Sequence, residues 1–152
     1  MRVFVTGAGG FIGSHIVKSL LENDHEVAVL KRKGSNSKRL DSLPISYINV
    51  SNDLALFSPA EQLSLNEFHP ETVIHAGWIG VGNSQRNELV QLSNIEMTSN
   101  LVDASIKAGV KHFIGFGSQA EYGRCEGAIN ESQPLAPTTL YGAAKALFGN
   151  AS

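Results

Sequence analysis

The sequence predicts a doubly wound parallel α/β sheet, and three observations carry that prediction. Short runs rich in Val, Ile and Phe alternate with amphipathic segments. The apolar runs are continuous, as in strands covered on both faces. The first run passes directly into a glycine-rich turn and then a helix. In chain order, strands are expected at Arg2–Thr6, 26–31, 45–49, Thr72–His75 and 111–116. Helices are expected at 13–23, at roughly Pro59–Phe68, at roughly 87–108 and from 138 to the end. The third of these helices carries Leu89, Leu92, Ile95, Leu101, Val102 and Ile106 as an apolar stripe, with Gly109 as its stop. No internal repeat, heptad pattern or low-complexity linker is visible, and the chain reads as one domain.

Composition narrows the function classes. With 152 residues, 42% hydrophobic and 17% charged, the chain can bury one good core. A formal net charge of -2, without a basic patch, gives no reason to expect nucleic acid. No apolar run approaches bilayer length and the N-terminus starts inside a strand without a signal peptide, so no membrane association is expected and a cytoplasmic location is. Cys125 is the single cysteine and reads as an incidental thiol in a polar loop. No Cys/His cluster has metal-ligand spacing, so no metal is expected.

The turn after the first strand reads Thr6-Gly7-Ala8-Gly9-Gly10-Phe11-Ile12-Gly13. Gly7 lets the strand turn sharply, Gly10 lets backbone N–H groups reach a pyrophosphate, and Gly13 lets the helix sit close to the sheet. Phe11 and Ile12 open the helix, whose N-terminus carries partial positive charge. This is a dinucleotide cradle of the Rossmann type, with Gly7-x-x-Gly10-x-x-Gly13 departing by one residue from G-x-G-x-x-G. The second strand ends in Lys31-Arg32-Lys33, with no carboxylate to receive a ribose hydroxyl. Arg32, with Lys31 or Lys38, suits a 2′-phosphate instead, so NADP is favoured over NAD.

Two further constellations concern chemistry. Tyr141 and Lys145 stand at i and i+4 of a helix, hence on one face, where a positive neighbour favours a phenolate. A tyrosine so placed can exchange a proton with a substrate oxygen while a hydride moves at the adjacent carbon. The fifth strand ends in Gly117-Ser118-Gln119-Ala120-Glu121-Tyr122-Gly123, which puts Ser118 where ligands of open α/β sheets bind.

With these pieces the chain resembles the extended short-chain dehydrogenase/reductase family, the nucleotide-sugar epimerases, dehydratases and reductases. The resemblance runs over the whole chain. It rests on the glycine turn, Asp53-Leu54 after the third strand, His75-Ala76-Gly77 after the fourth, Asn94 in the long helix, Gly117-Ser118 with Tyr122-Gly123, and Tyr141 with Lys145. It implies Tyr141 as catalytic acid/base, Lys145 as holder of the nicotinamide ribose and tuner of Tyr141, and Ser118 as hydrogen-bond partner of the reacting oxygen. Asp53 would contact adenine, Leu54 would line its pocket, and Ala76 and Gly77 would pass close to the cofactor. Asn94 would support from the helix, and Tyr122 would touch substrate or merely pack. His75 is read as structural and left out of the catalytic set.

Sugar 4,6-dehydratases of this family carry an Asp-Glu pair where this chain has Gln119-Ala120, which disfavours that elimination. The strings around Ser118 and His75-Ala76-Gly77-Trp78 look most like 4-ketoreductases of nucleotide-linked deoxyhexuloses, with a nucleotide-sugar 4-epimerase as the close rival. A second class of reading is a dinucleotide-binding module without turnover. Family members continue past the Tyr141 helix into a substrate-binding lobe, so residues 1–152 are expected to be a cofactor-binding domain truncated before that lobe. Family members also pair through the long helix and the Tyr-bearing helix, which implies a homodimer.

Overall fold

The computed structural model describes residues 1–35, 38–50 and 58–149. Among the described residues five strands and four α-helices follow in order: β1 (Arg2–Thr6), α1 (Phe11–Glu22), β2 (Glu26–Arg32), β3 (Ser46–Val50), α2 (Pro59–Phe68), β4 (Thr72–His75), α3 (Val90–Lys107), β5 (His112–Gly115) and α4 (Leu140–Gly149). The chain packs as two compact units, Met1–Gly77 with Met97–Ile114, and Trp78–Glu96 with Gly115–Ser152. Helix α3 is shared by both.

The first unit holds the sheet, in the order β3-β2-β1-β4-β5. β1 pairs in parallel with β2 and with β4, and β2 in parallel with β3. Because successive strand residues face opposite ways, Val3 and Val5 enter one core layer with Val17 of α1, Val27 and Val29. Phe4 enters the other, with Ala28, Ile48, Leu65 of α2, Val73 and Leu101 of α3. Two covered faces are what the continuous apolar runs predict, and Val3, Phe4 and Val5 are all buried. The edge strand β5 differs. All of its residues are exposed, including Phe113 and Ile114.

Element ends follow local chemistry. Helix α2 opens with a capping box in which the Ser58 backbone N–H donates to the Glu61 carboxylate at 2.6 Å, and Pro59 occupies the first turn. Helix α1 begins at Phe11, two residues before the expected start, because Gly10 serves as its N-cap. Helix α3 begins at Val90 rather than at Asn87. The Asn87 side chain instead accepts a hydrogen bond from Leu140 N–H at 3.1 Å, at the start of α4.

The apolar stripe expected on α3 coincides only in part with the face it buries: Leu101 is buried, and Ile95 and Val102 are half-buried. Leu89, just before the helix, and Leu92 and Ile106 within it are exposed, whereas Gln91, Asn94, Thr98 and Ser105 are buried with Met97, Leu101 and Ala104. The polar residues can be buried because each finds a partner. Ser105 returns its hydroxyl to Leu101 O at 2.7 Å, and Gln91 and Asn94 bond to backbone outside the helix. Among the described residues no helix is long and apolar enough to cross a membrane, and no His/Cys/Asp/Glu group could hold a metal ion.

Candidate active site

In the first unit, Gly7 follows β1 in the left-handed region, at φ +69. A Cβ there would stand 2.5 Å from Ala76 C and from Gly77 N, so the turn lies against the backbone that leaves β4. This is where the strand order reverses, since β2 and β3 lie on one side of β1 and β4 and β5 on the other. A Cβ on Gly13 would stand 2.2 Å from Gly7 O, which means that α1 rests directly on the turn. Gly10 is different. Its added Cβ would have one near neighbour, Gly7 O at 3.2 Å, so this glycine keeps space clear beside the helix start and is not squeezed by packing.

Among the described residues no side chain caps α1, whose first N–H groups therefore remain for a ligand. Phe11 and Ile12 at that end are 71% and 56% exposed. An uncapped helix start beside a turn only glycine permits fits a dinucleotide pyrophosphate. Behind the cradle, His75 is buried with both ring nitrogens engaged, by Thr6 Oγ1 at 2.6 Å and Thr98 Oγ1 at 3.0 Å.

Arg32 ends β2 exposed, on a groove of 480 Å³ lined also by Lys31, Lys33, Asn49, Ser58 and Glu61. The Lys31 ammonium sits 4.7 Å from the centre of the Tyr47 ring. Lys38 lies in a short 3-10 turn, Lys38–Leu40, whose Arg39 donates to Gly9 O at 3.3 Å. The sequence reading passed over Arg39, which adds a cation beside the glycine turn. Asp53 and Leu54 lie outside the described residues.

In the second unit, Ser118 caps the 3-10 turn Gln119–Tyr122, its hydroxyl oxygen accepting from Ala120 N–H at 3.2 Å. That acceptance leaves the hydroxyl proton available to donate. The buried Glu121 carboxylate accepts the Ser118 N–H and closes the capping box. Helix α4 packs onto this turn so closely that a Cβ on Gly142 would stand 2.3 Å from Ala120 O. The glycine after Tyr141 is thus a packing requirement of the motif.

Lys145 is buried, and its ammonium donates to Phe116 O at 2.7 Å. Burial pushes it down from 10.5 to about 8, against the attraction of Glu121. The same ammonium stands 3.8 Å from the centre of the Trp78 ring. Trp78 meets the Tyr141 ring at 6.0 Å with the planes 85° apart, and the Arg86 guanidinium lies 5.1 Å from the Tyr141 ring centre. Trp78 therefore links the two side chains that the helical spacing puts on one face. The sequence reading missed Trp78 and Arg86 as site residues. For Trp78 the signal was present, as the chain's single tryptophan directly after Gly77; Arg86 sits in a polar loop with nothing local to mark it.

The model of the NAD dependent epimerase/dehydratase family matches residues 3–151. A UDP-glucose 4-epimerase of Klebsiella pneumoniae is 34% identical over 132 residues, covering 81% of this chain and 93% of that sequence. The dTDP-6-deoxy-L-talose 4-dehydrogenase (NAD(+)) of Aggregatibacter actinomycetemcomitans is 28% identical, over 95% of this chain and 52% of its own length. Among solved structures, the Thermus thermophilus UDP-glucose 4-epimerase in complex with NAD superposes with a TM-score of 0.83 at 32% identity, covering 98% of this chain and 49% of that one. The chain thus spans about half the length of the last two relatives, 52% and 49%. Glycine cradle, parallel sheet and Tyr-x-x-x-Lys helix agree with a match over nearly every residue, and the chain belongs to the NAD-dependent epimerase/dehydratase family.

Proposed function

We propose that this chain carries the dinucleotide cradle and the acid–base residues of an enzyme that oxidises or reduces the C4 position of a nucleotide-linked hexose. The observation that supports this most is the held Lys145, on one helical face with Tyr141 and bonded to Phe116 O two residues before Ser118. Gly7, Gly10, Gly13, Ala76 and Gly77 would hold the dinucleotide, which when bound supplies hydride transfer. Tyr141 exchanges a proton with the sugar oxygen. Lys145, on the same helical face, holds the ribose, while Ser118 donates its hydroxyl proton to the reacting oxygen.

Within this chemistry the 4-ketoreductase reading draws on the strings around Ser118 and His75-Ala76-Gly77-Trp78 and on the 4-dehydrogenase relative. The 4-epimerase reading draws on the Klebsiella and Thermus relatives. Product analysis separates them: a reductase consumes reduced dinucleotide with each turnover, whereas an epimerase inverts C4 without net consumption. For the dinucleotide, NAD is the ligand named in the Thermus complex. A preference for NADP stands on Arg32, Lys31 and Lys38 alone. The substrate lobe is proposed to lie in sequence beyond this domain, and exposed Leu89 and Leu92 are proposed as part of a homodimer face.

Calorimetric titration with NADH and NADPH in parallel tests the cradle. Binding of at least one is expected, Gly10→Val should abolish it, and an Arg32→Ala variant that loses NADPH and NADH equally removes the case for NADP. Tyr141→Phe should bind dinucleotide normally and lose turnover by roughly 100-fold or more, the scale of general acid–base catalysis. Near-normal rates in that variant would refute the assigned chemistry.

A further inference from the structure

We propose that Trp78 is a positioning residue for the Tyr141–Lys145 pair, its indole face holding the Lys145 ammonium in place while Arg86 covers the ring of Tyr141. The inference rests on the reading of that pair as the acid–base residues. Its basis is a stack of four side chains, Lys145, Trp78, Tyr141 and Arg86, within the second unit.

The indole is itself fixed. The Trp78 Nε1–H donates to Gln91 Oε1 at 2.9 Å. Gln91 is itself fully buried and donates to Gly80 O at 2.8 Å and Gln85 O at 3.0 Å. The adjacent Ile79 is held by Asn94, which accepts its N–H at 2.8 Å and donates to its carbonyl at 2.9 Å. The indole therefore stands on a clamped loop. A lysine ammonium on a flexible stem, bonded to one carbonyl, is free to swing about that bond. The ring face, 3.8 Å away, removes this freedom and attracts the charge through its quadrupole.

At the other end, Tyr141 N–H donates to Arg86 O at 2.8 Å while the Arg86 guanidinium covers the ring. Arg86 Nε is buried and has no hydrogen-bond partner among the described residues, so the π face of Tyr141 is its compensation. Glu121, from the 3-10 turn, is the charged group acting directly on Lys145; Tyr141 lies on Lys145's own helix, and Arg86 lies beyond the Tyr141 ring.

Trp78 is the only tryptophan in the chain, so its emission reports this contact without any bound ligand. Titrated upward from about pH 6, the emission of the intact chain should change with a midpoint at about 8, where burial has moved Lys145. Lys145→Met and the charge-keeping Lys145→Arg should both lack the step. No step in the native chain, or one that persists in either variant, overturns the proposal. Limiting acetic anhydride, read by mass spectrometry, then measures how well Lys145 is held. Trp78→Leu should raise its labelling several-fold, while Trp78→Phe, which keeps a ring face but loses the bond to Gln91, should stay within about twofold of native. Equal labelling in all three, or a Phe variant as reactive as the Leu variant, overturns the positioning role. None of these readouts involves turnover, so a Tyr141→Phe enzyme that stayed active would refute the proposed chemistry and leave the Trp78–Lys145 contact standing.

Discussion

Three glycines that look equivalent in the motif do separate physical jobs. At Gly7 and Gly13 an added Cβ would stand 2.5 Å or less from backbone atoms, which cannot yield as a flexible side chain does. Gly13→Ala should therefore destabilise the fold by roughly 2–4 kcal/mol, read by urea unfolding. Gly10→Val should leave stability within about 1 kcal/mol while removing dinucleotide binding. Equal destabilisation by both would contradict this division of roles. Lys145 makes a second prediction. Its folded-state value of about 8 lies below the ordinary 10.5, so folding disfavours the charged form. That penalty is present in full below about 8 and fades as pH rises towards 10.5. Relative to Lys145→Met, the native chain should gain stability across that window, and a difference that is flat or falls with pH would be inconsistent with a buried ammonium.

At the level of elements, α3 departs most from expectation. Counting apolar residues at helical spacing selected Leu92 and Ile106, which are exposed, along with Leu101, which is buried. Gln, Asn, Thr and Ser carry no weight in such a count, yet they occupy much of the buried face: the loop after β4 offers backbone partners to Gln91 and Asn94, Thr98 meets His75, and Ser105 bonds back to Leu101 O. Asn94→Leu would leave the N–H and C=O of Ile79 without these partners. A loss of about 2–4 kcal/mol is expected, with Trp78 emission shifted in the folded state as the loop loosens. An unchanged melting temperature would mean the clamp contributes nothing. Helix α2, by contrast, lies where it was expected, and Ser58, Pro59 and Glu61 supply its local start signal.

For the whole molecule, the parallel sheet was legible because every strand is a short apolar run set off by an amphipathic helix or a turn. The glycine cradle and the Tyr141–Lys145 spacing were legible for the same reason: each is confined to a few neighbouring residues. The proposed homodimer belongs to this scale. Light scattering should find a dimer that Leu92→Glu converts to monomer, and a native chain that is monomeric throughout would remove the proposal. Subunit pairing needs an apolar surface that the fold leaves uncovered, and exposed Leu89 and Leu92 supply candidates.

The sequence by itself determined the doubly wound sheet, the glycine turn and the i,i+4 spacing of the pair proposed for acid–base work, since strand and helix periods, turn chemistry and helical spacing are properties of adjacent residues. Only the tertiary structure decided what holds that pair. Lys145 meets Phe116 29 positions away, and the indole over it comes from Trp78, on a loop fixed by buried Gln91 and Asn94. Such contacts depend on how elements pack. No local pattern encodes a partner that the chain brings back from another part of its length.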